Sequence, residues 1–326
     1  MANLAISTIC NQSCPYCFTE DHVRDAGSPF LPVEAFDERL DFLDRSEIDQ
    51  ARLMGGEPTL HPHLPELVAR ARSRSKSIVL FTNGLMGEQA LACLAALPVE
   101  DCRVLVNVNQ PDDGARLERQ RATLRRLGQR ALLGFNIYRA DFEPSFLLSL
   151  ISDTGCRPTV RLGLAHPCLS GENAHLIPHQ YVFVGRKVVR FAQKAAEIGA
   201  RVEFDCGFVR CMFSDAGLET LRALEADVGW RCNPILDVDV EGQVIHCYPL
   251  SQFASLPLTS QTDAAALRAA FAERTQPYRQ AGIFPECTTC PIREAEECSG
   301  GCLALTMRRF RQDPFHLTIP VSEGGI

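Results

Sequence analysis

The sequence has no apolar run approaching the roughly 20 residues that a bilayer-spanning helix requires, so no helical membrane anchor is expected. It also lacks a basic run. Its net charge is −7, which argues against nucleic acid or an anionic membrane surface as the main partner. An export signal is missing too, because MANLAISTIC is too short a lead into the first cysteine cluster. There is no internal repeat and no low-complexity segment. Of its 326 residues, 46% are hydrophobic and 22% charged, the make-up of a folded chain long enough for a large α/β domain and a smaller one.

What the chain has in abundance is cysteine. There are fifteen, an odd number, with no export signal to accompany them. Disulfide frameworks suit short secreted proteins, whereas clustered thiols in a reducing cytoplasm more often hold metal. A cytoplasmic location is expected on that ground.

Over the first two hundred residues, short apolar runs alternate with amphipathic ones, as repeated β/α units do. NLAIST, ARLMGG, SIVLFTNG, CRVLVNVN, ALLGFNIY and TVRLGLAHP read as six strands. Between and after them, PVEAFDERLDFLDR, LPELVARARS, EQALACLAAL, ARLERQRATLRRL, PSFLLSLIS and HQYVFVGRKVVRFAQKAAEIG read as helices. Six such units predict an α/β fold, an incomplete barrel or an open parallel sheet, with ligand sites at the C-terminal ends of the strands. Near residue 200 the alternation stops and cysteines become dense. A boundary is expected there, giving domains 1–200 and 201–326.

The chemistry-bearing residues fall after the strand ends. CNQSCPYCF at residues 10–18 packs Cys10, Cys14 and Cys17 into eight positions. A tetrahedral zinc or an ordinary iron–sulfur cluster wants a fourth ligand, and only His22 follows closely. The spacing therefore poses the question of whether a fourth position is left open. MGGEPTLHP at residues 54–62 ends the second strand in glycines. Thr82, Asn83 and Gly84 read as a turn, and His61 and His63, flanking Pro62, as structural histidines.

A Cys-x3-Cys-x2-Cys motif with an aromatic before its third cysteine, followed by Gly-Gly-Glu-Pro on the second strand, resembles the radical S-adenosylmethionine (SAM) enzymes. The resemblance implies a partial (β/α)6 TIM-type barrel. It also implies a [4Fe–4S] cluster on Cys10, Cys14 and Cys17, with one iron free to chelate SAM. Reduction of SAM there would release methionine and a 5′-deoxyadenosyl radical, which takes hydrogen from an unactivated carbon. By the same resemblance, Gly55, Gly56 and Glu57 would receive the methionine amino group, Asn107 and Asn109 the ribose, Arg161 the carboxylate, and Tyr16 the adenine. Read without it, the glycines end a strand, Arg161 is a surface arginine and Tyr16 packs ordinarily.

The C-terminal region, with Cys232, VEGQVIHC ending in Cys247, and CTTCPIREAEECSGGC, resembles the SPASM extension found in peptide- and protein-modifying members of that family. This implies one or two auxiliary [4Fe–4S] clusters on Cys206, Cys211, Cys232, Cys247, Cys287, Cys290, Cys298 and Cys302. The gap from Cys290 to Cys298 is longer than usual, and the family's last cysteine is missing, while Cys206 and Cys211 appear upstream. The grouping expected is Cys211, Cys232, Cys247 and Cys302 for one cluster, and Cys287, Cys290, Cys298 and Cys206 for the other. Zinc is the alternative for these thiols. Cys168 is a candidate hydrogen-atom donor, and Asp205 or Glu203 a candidate proton acceptor.

The function implied is a radical SAM oxidoreductase that crosslinks, oxidises or epimerises a peptide or protein. A flavodoxin-type reductase would supply electrons. Only nine residues precede Cys10, so either a separate partner is expected to supply a leader-peptide-binding domain or the substrate is small. The alternatives are a radical SAM dehydrogenase or epimerase of a small molecule, and a non-catalytic iron–sulfur or zinc protein.

Overall fold

The computed structural model describes residues 1–19, 27–109, 113–169, 173–226 and 228–312; His22 lies outside them. The six expected strands are β1 (Asn3–Ser7), β2 (Gln50–Gly55), β3 (Ser77–Thr82), β4 (Cys102–Asn107), β5 (Ala131–Ile137) and β6 (Thr159–Leu164). A seventh, β7 (Arg201–Phe204), follows them, and all seven are parallel and lie side by side in sequence order. The connecting helices are α1 (Val33–Arg45), α2 (Leu64–Ser73), α3 (Glu88–Ala95), α4 (Gly114–Leu127), α5 (Phe146–Thr154) and α6 (Tyr181–Glu197). This is the α/β partial barrel anticipated from the sequence, with one strand more.

The reasons are local. β1 is buried along all five residues, as a central strand of a covered parallel sheet must be. On α1, Phe36, Leu40 and Leu43 recur at helical spacing and are buried. Pro32 precedes that helix as its N-cap rather than opening its first turn. β7 escaped notice because RVEF alternates polar and apolar residues over only four positions.

The chain past residue 200 does not stand apart from the sheet. The VEGQVIHC stretch supplies the turn and second strand of a hairpin, β8 (Asp237–Val238) with β9 (Gln243–Ile245), turning at Gly242, whose φ is +86°. β10 (Ser255–Pro257) adds antiparallel to β9. β8 pairs in parallel with the free edge of β1, so the ten strands form one sheet ordered 10-9-8-1-2-3-4-5-6-7. Around this lie α7 (Asp215–Ala223), α8 (Ala264–Arg279), α9 (Pro291–Glu294) and α10 (Leu303–Gln312). One hydrophobic cluster runs from Ala2 to Met307. Among the described residues, no helix is long and apolar enough to cross a membrane.

Candidate active site

The strand ends and the C-terminal region enclose a cavity of about 420 Å³. Alternation along each strand decides what enters it. Arg52 and Met54 on β2, Leu105 and Asn107 on β4, and Arg161 and Gly163 on β6 line it.

The cysteine loop leaves β1 at the mouth. Cys10 is exposed, and Cys14 and Cys17 are half-buried. Burial pushes Cys10 and Cys14 above the ordinary thiol pKa, helped by Glu57 and then Cys17 at Cys10, and by Cys17 and Cys10 at Cys14. The Gly-Gly-Glu-Pro turn locks this loop in place. Gly56 N donates to Ser7 O at 2.8 Å, and Glu57 N to Ile9 O at 2.7 Å. A Cβ on Gly55 would lie 2.0 Å from Ser7 O, and one on Gly56 2.3 Å from Ile9 O, so only glycine allows the approach. Glu57 is 1% exposed. Its carboxylate accepts from Thr59 N (3.2 Å), Thr59 Oγ1 (2.6 Å), Thr82 Oγ1 (2.7 Å) and Asn83 N (2.8 Å). Burial nevertheless raises its pKa. Asn83 Nδ2 donates to Asn11 Oδ1 at 2.7 Å. The Thr82-Asn83-Gly84 turn thus braces both Glu57 and the cysteine loop, more than a turn alone would do.

The other expected residues divide. Tyr16 lines the cavity and stacks on Tyr138, with centroids 5.0 Å apart. Asn107 lines it as well, but Asn109 does not. Both ends of the Asn109 amide are spent on the backbone of Asn136, at 2.7 and 3.1 Å, so Asn109 braces β5 instead of facing a ligand. Arg161 is no surface arginine: it lines the cavity and pairs with Asp205 at 2.8 Å. Cys168 is buried, and its sulfur lies 3.9 Å from Cys17 O. His61 bonds Leu31 O and His63 N, as structural histidines do.

The cavity brings together four of the eight C-terminal thiols, with Cys206 where Cys211 was expected. Cys206, Cys232, Cys247 and Cys302 all line the cavity. Burial pushes Cys206 and Cys232 up to about 11, helped by Asp205 and then Cys232 at Cys206 and by Cys302 at Cys232, and burial with Cys232 and Cys302 lifts Cys247 well above its ordinary value. Burial also lifts Cys302 to about 11. Cys211 instead feels Cys287, Cys298 and Cys290 after burial, and is likewise pushed up to about 11. The reason is positional. Cys206 leaves the end of β7 at the barrel mouth, whereas the 3₁₀ turn Arg210–Met212 carries Cys211 outward, where Arg210 pairs with Glu297 at 3.2 Å. Among the described residues, no three His, Cys, Asp or Glu side chains form a compact single-ion site.

Several cavity residues were not foreseen. Arg52 Nε donates to Asn3 Oδ1 (2.9 Å), Asn3 Nδ2 to Asp237 Oδ1 (2.7 Å), and Tyr248 N to Asp237 Oδ2 (3.0 Å). Burial raises Asp237 to about 6 and lowers Arg52 to about 10. His166 packs against Gly207, with Nε2 3.7 Å from the Cys206 sulfur. An arginine two positions before Met54, on the inward face of a strand otherwise rich in apolar residues, was the available signal.

Residues 4–132 match the model of the radical SAM superfamily. The cofactors of that superfamily are a [4Fe–4S] cluster and SAM. The GTP 3′,8-cyclase of Chlorobaculum tepidum is 32% identical over 93 residues, 28% of each chain. The mycofactocin maturase MftC of Mycobacterium ulcerans is 32% identical over 109 residues, 33% of this chain and 28% of the relative. The matched stretch thus spans little more than a quarter of either relative. The fold of the whole chain resembles anSMEcpe with bound AdoMet and a Kp18Cys peptide (TM-score 0.65, 17% identity, 92% of this chain and 88% of that one). It also resembles Streptococcus suis SuiB bound to S-adenosylmethionine (TM-score 0.67, 13% identity, 94% and 74%).

Proposed function

We propose that this chain is a radical SAM enzyme with two auxiliary iron–sulfur clusters, acting on a peptide or protein side chain by crosslinking, oxidation or epimerisation. The observation that carries this reading is that the three-cysteine loop and a group of four thiols, two buried and two half-buried, border one cavity. The donor chemistry fits, since each group is built of cysteine sulfur. When bound, a reduced [4Fe–4S] cluster with SAM supplies a 5′-deoxyadenosyl radical for hydrogen abstraction.

The chain's own residues then have distinct tasks. Cys10, Cys14 and Cys17 hold the first cluster and leave one position for SAM. Gly55, Gly56 and Glu57 fix the loop that carries those thiols. Tyr16, stacked on Tyr138, offers an aromatic wall, and Asn107 an amide, on the SAM side. Cys206, Cys232, Cys247 and Cys302 hold one auxiliary cluster; Cys211, Cys287, Cys290 and Cys298 hold the other, outside the cavity wall. Asp205, held by Arg161, is placed to accept a proton from a reacting substrate. The domain division of 1–200 and 201–326 fits the placement of the two kinds of thiol group, although the sheet crosses it.

A peptide substrate is supported by the Kp18Cys peptide in anSMEcpe and by the precursor peptide SuiA in SuiB. The GTP 3′,8-cyclase relatives favour a second reading, a small-molecule substrate. An electron-donating reductase of the flavodoxin type and a separate leader-binding protein complete the proposal. Anaerobic reconstitution tests it. Three clusters predict about 12 iron atoms per chain, with 5′-deoxyadenosine released on adding dithionite and SAM. Zinc at Cys10, Cys14 and Cys17, or no 5′-deoxyadenosine after iron loading, overturns it.

A further inference from the structure

We propose that Arg52 is a carboxylate anchor, so that the group received in the cavity is a carboxylate-bearing side chain, aspartate or glutamate, of the peptide. This rests on the functional reading above for the word substrate, though not for the site.

The argument begins with how firmly the guanidinium is held. Arg52 projects from β2 into the cavity beside Met54. Its Nε donates to Asn3 on β1, Asn3 donates to Asp237 on β8, and Asp237 accepts the Tyr248 N–H. On the other side its guanidinium carbon lies 5.0 Å from the centroid of Phe81, on β3. Four adjacent strands therefore fix its orientation. They use one of its three nitrogens. Among the described residues, the two terminal nitrogens have no hydrogen-bond or ion-pair partner.

The second arginine of the cavity, Arg161, is by contrast neutralised directly by Asp205 at 2.8 Å. Asp237 reaches Arg52 only through Asn3. A half-buried cation held without a direct counter-charge is costly, and an incoming anion removes that cost. The planar pair of terminal N–H groups matches the two oxygens of a carboxylate. Glu57, Asp205 and Asp237 line the same cavity. Three carboxylates there disfavour a doubly charged phosphate and leave room for a single negative charge.

The test uses the full chain, reconstituted anaerobically with iron, sulfide and SAM. It is offered capped pentapeptide pools randomised around a central aspartate or glutamate, and matched pools around asparagine or glutamine. Succinate and glutarate, with their monoamides, form a third arm. Retained species are identified by affinity selection and mass spectrometry. The wild type is expected to retain acidic peptides about tenfold or more over their amide twins, the worth of a charge-assisted pair. Arg52→Gln is expected to erase the preference, and Arg52→Lys to keep part of it. Selection of the small diacids alone would keep the anchor and overturn the peptide as its bearer. Equal retention of acid and amide probes in every arm overturns the anchor, as does a preference that survives in Arg52→Gln. Release of 5′-deoxyadenosine from the same wild-type preparation is read separately. Its absence beside an intact acid preference would sink the enzyme reading and leave the anchor standing.

Discussion

The loop of Cys10, Cys14 and Cys17 and the group of Cys206, Cys232, Cys247 and Cys302 border the same cavity, yet they are made in opposite ways. The first is a single short stretch at the mouth, with one thiol exposed and two half-buried. The second gathers one cysteine from each of four distant places in the chain, and burial pushes all four thiols upward. On the proposed reading, the local loop supplies three donors and leaves space for a co-substrate, whereas the group assembled from across the fold supplies four.

Breaking the loop is the strongest way to test this contrast. Replacing Cys10, Cys14 or Cys17 by alanine is expected to lower 5′-deoxyadenosine release by about a thousandfold or more, since the radical source then loses an anchor. Chromatography of the quenched reaction measures it; release within tenfold of wild type would refute the assignment. Next comes the division of the remaining thiols. Cys206→Ala and Cys211→Ala lie five residues apart, yet each is expected to remove about a third of the bound iron and a different electron paramagnetic resonance signal. Cys206→Ala is expected to lose the same signal as Cys232→Ala; if Cys211→Ala shares that loss instead, the grouping expected from sequence is restored.

A smaller effect is expected from Glu57→Gln. An amide cannot accept from Thr59, Thr82 and Asn83 together, so one buried donor loses its partner. The variant is expected to be less stable by about 1–3 kcal/mol, read from denaturant unfolding, and to lose iron from the cysteine loop more readily. Unchanged stability would mean that the carboxylate does not brace the loop. The smallest effect concerns Asp237, raised from 3.8 to about 6 by burial. Between those values the folded chain keeps a proton that the unfolded chain has released, so this group's contribution to stability falls as pH rises from about 4 to about 6. Comparing wild type with Asp237→Asn across that window isolates the slope. The same slope in both would assign it elsewhere.

The parts legible in the sequence were those written locally. The six strands and their helices followed from the alternation of apolar runs, and the cysteine loop from its spacing. The grouping of Cys206 and Cys211 was not legible, because it depends on a seventh strand and a 3₁₀ turn that carry neighbouring cysteines to opposite sides of a wall. Asn109 looked equivalent to Asn107 by alternation, but it lies past the end of β4, where its amide meets the Asn136 backbone. Within ARLMGG nothing but its register with Met54 distinguishes Arg52 from a solvated arginine on a strand. Its importance comes from Asn3 and Asp237, which are 234 positions apart.

That separation bears on the order of assembly. β1 finds β2 within the first 55 residues, but its other edge waits for Asp237 and Val238. Contacts so far apart in sequence close late. During synthesis, the cysteine loop therefore leaves the ribosome long before the segment that walls it in.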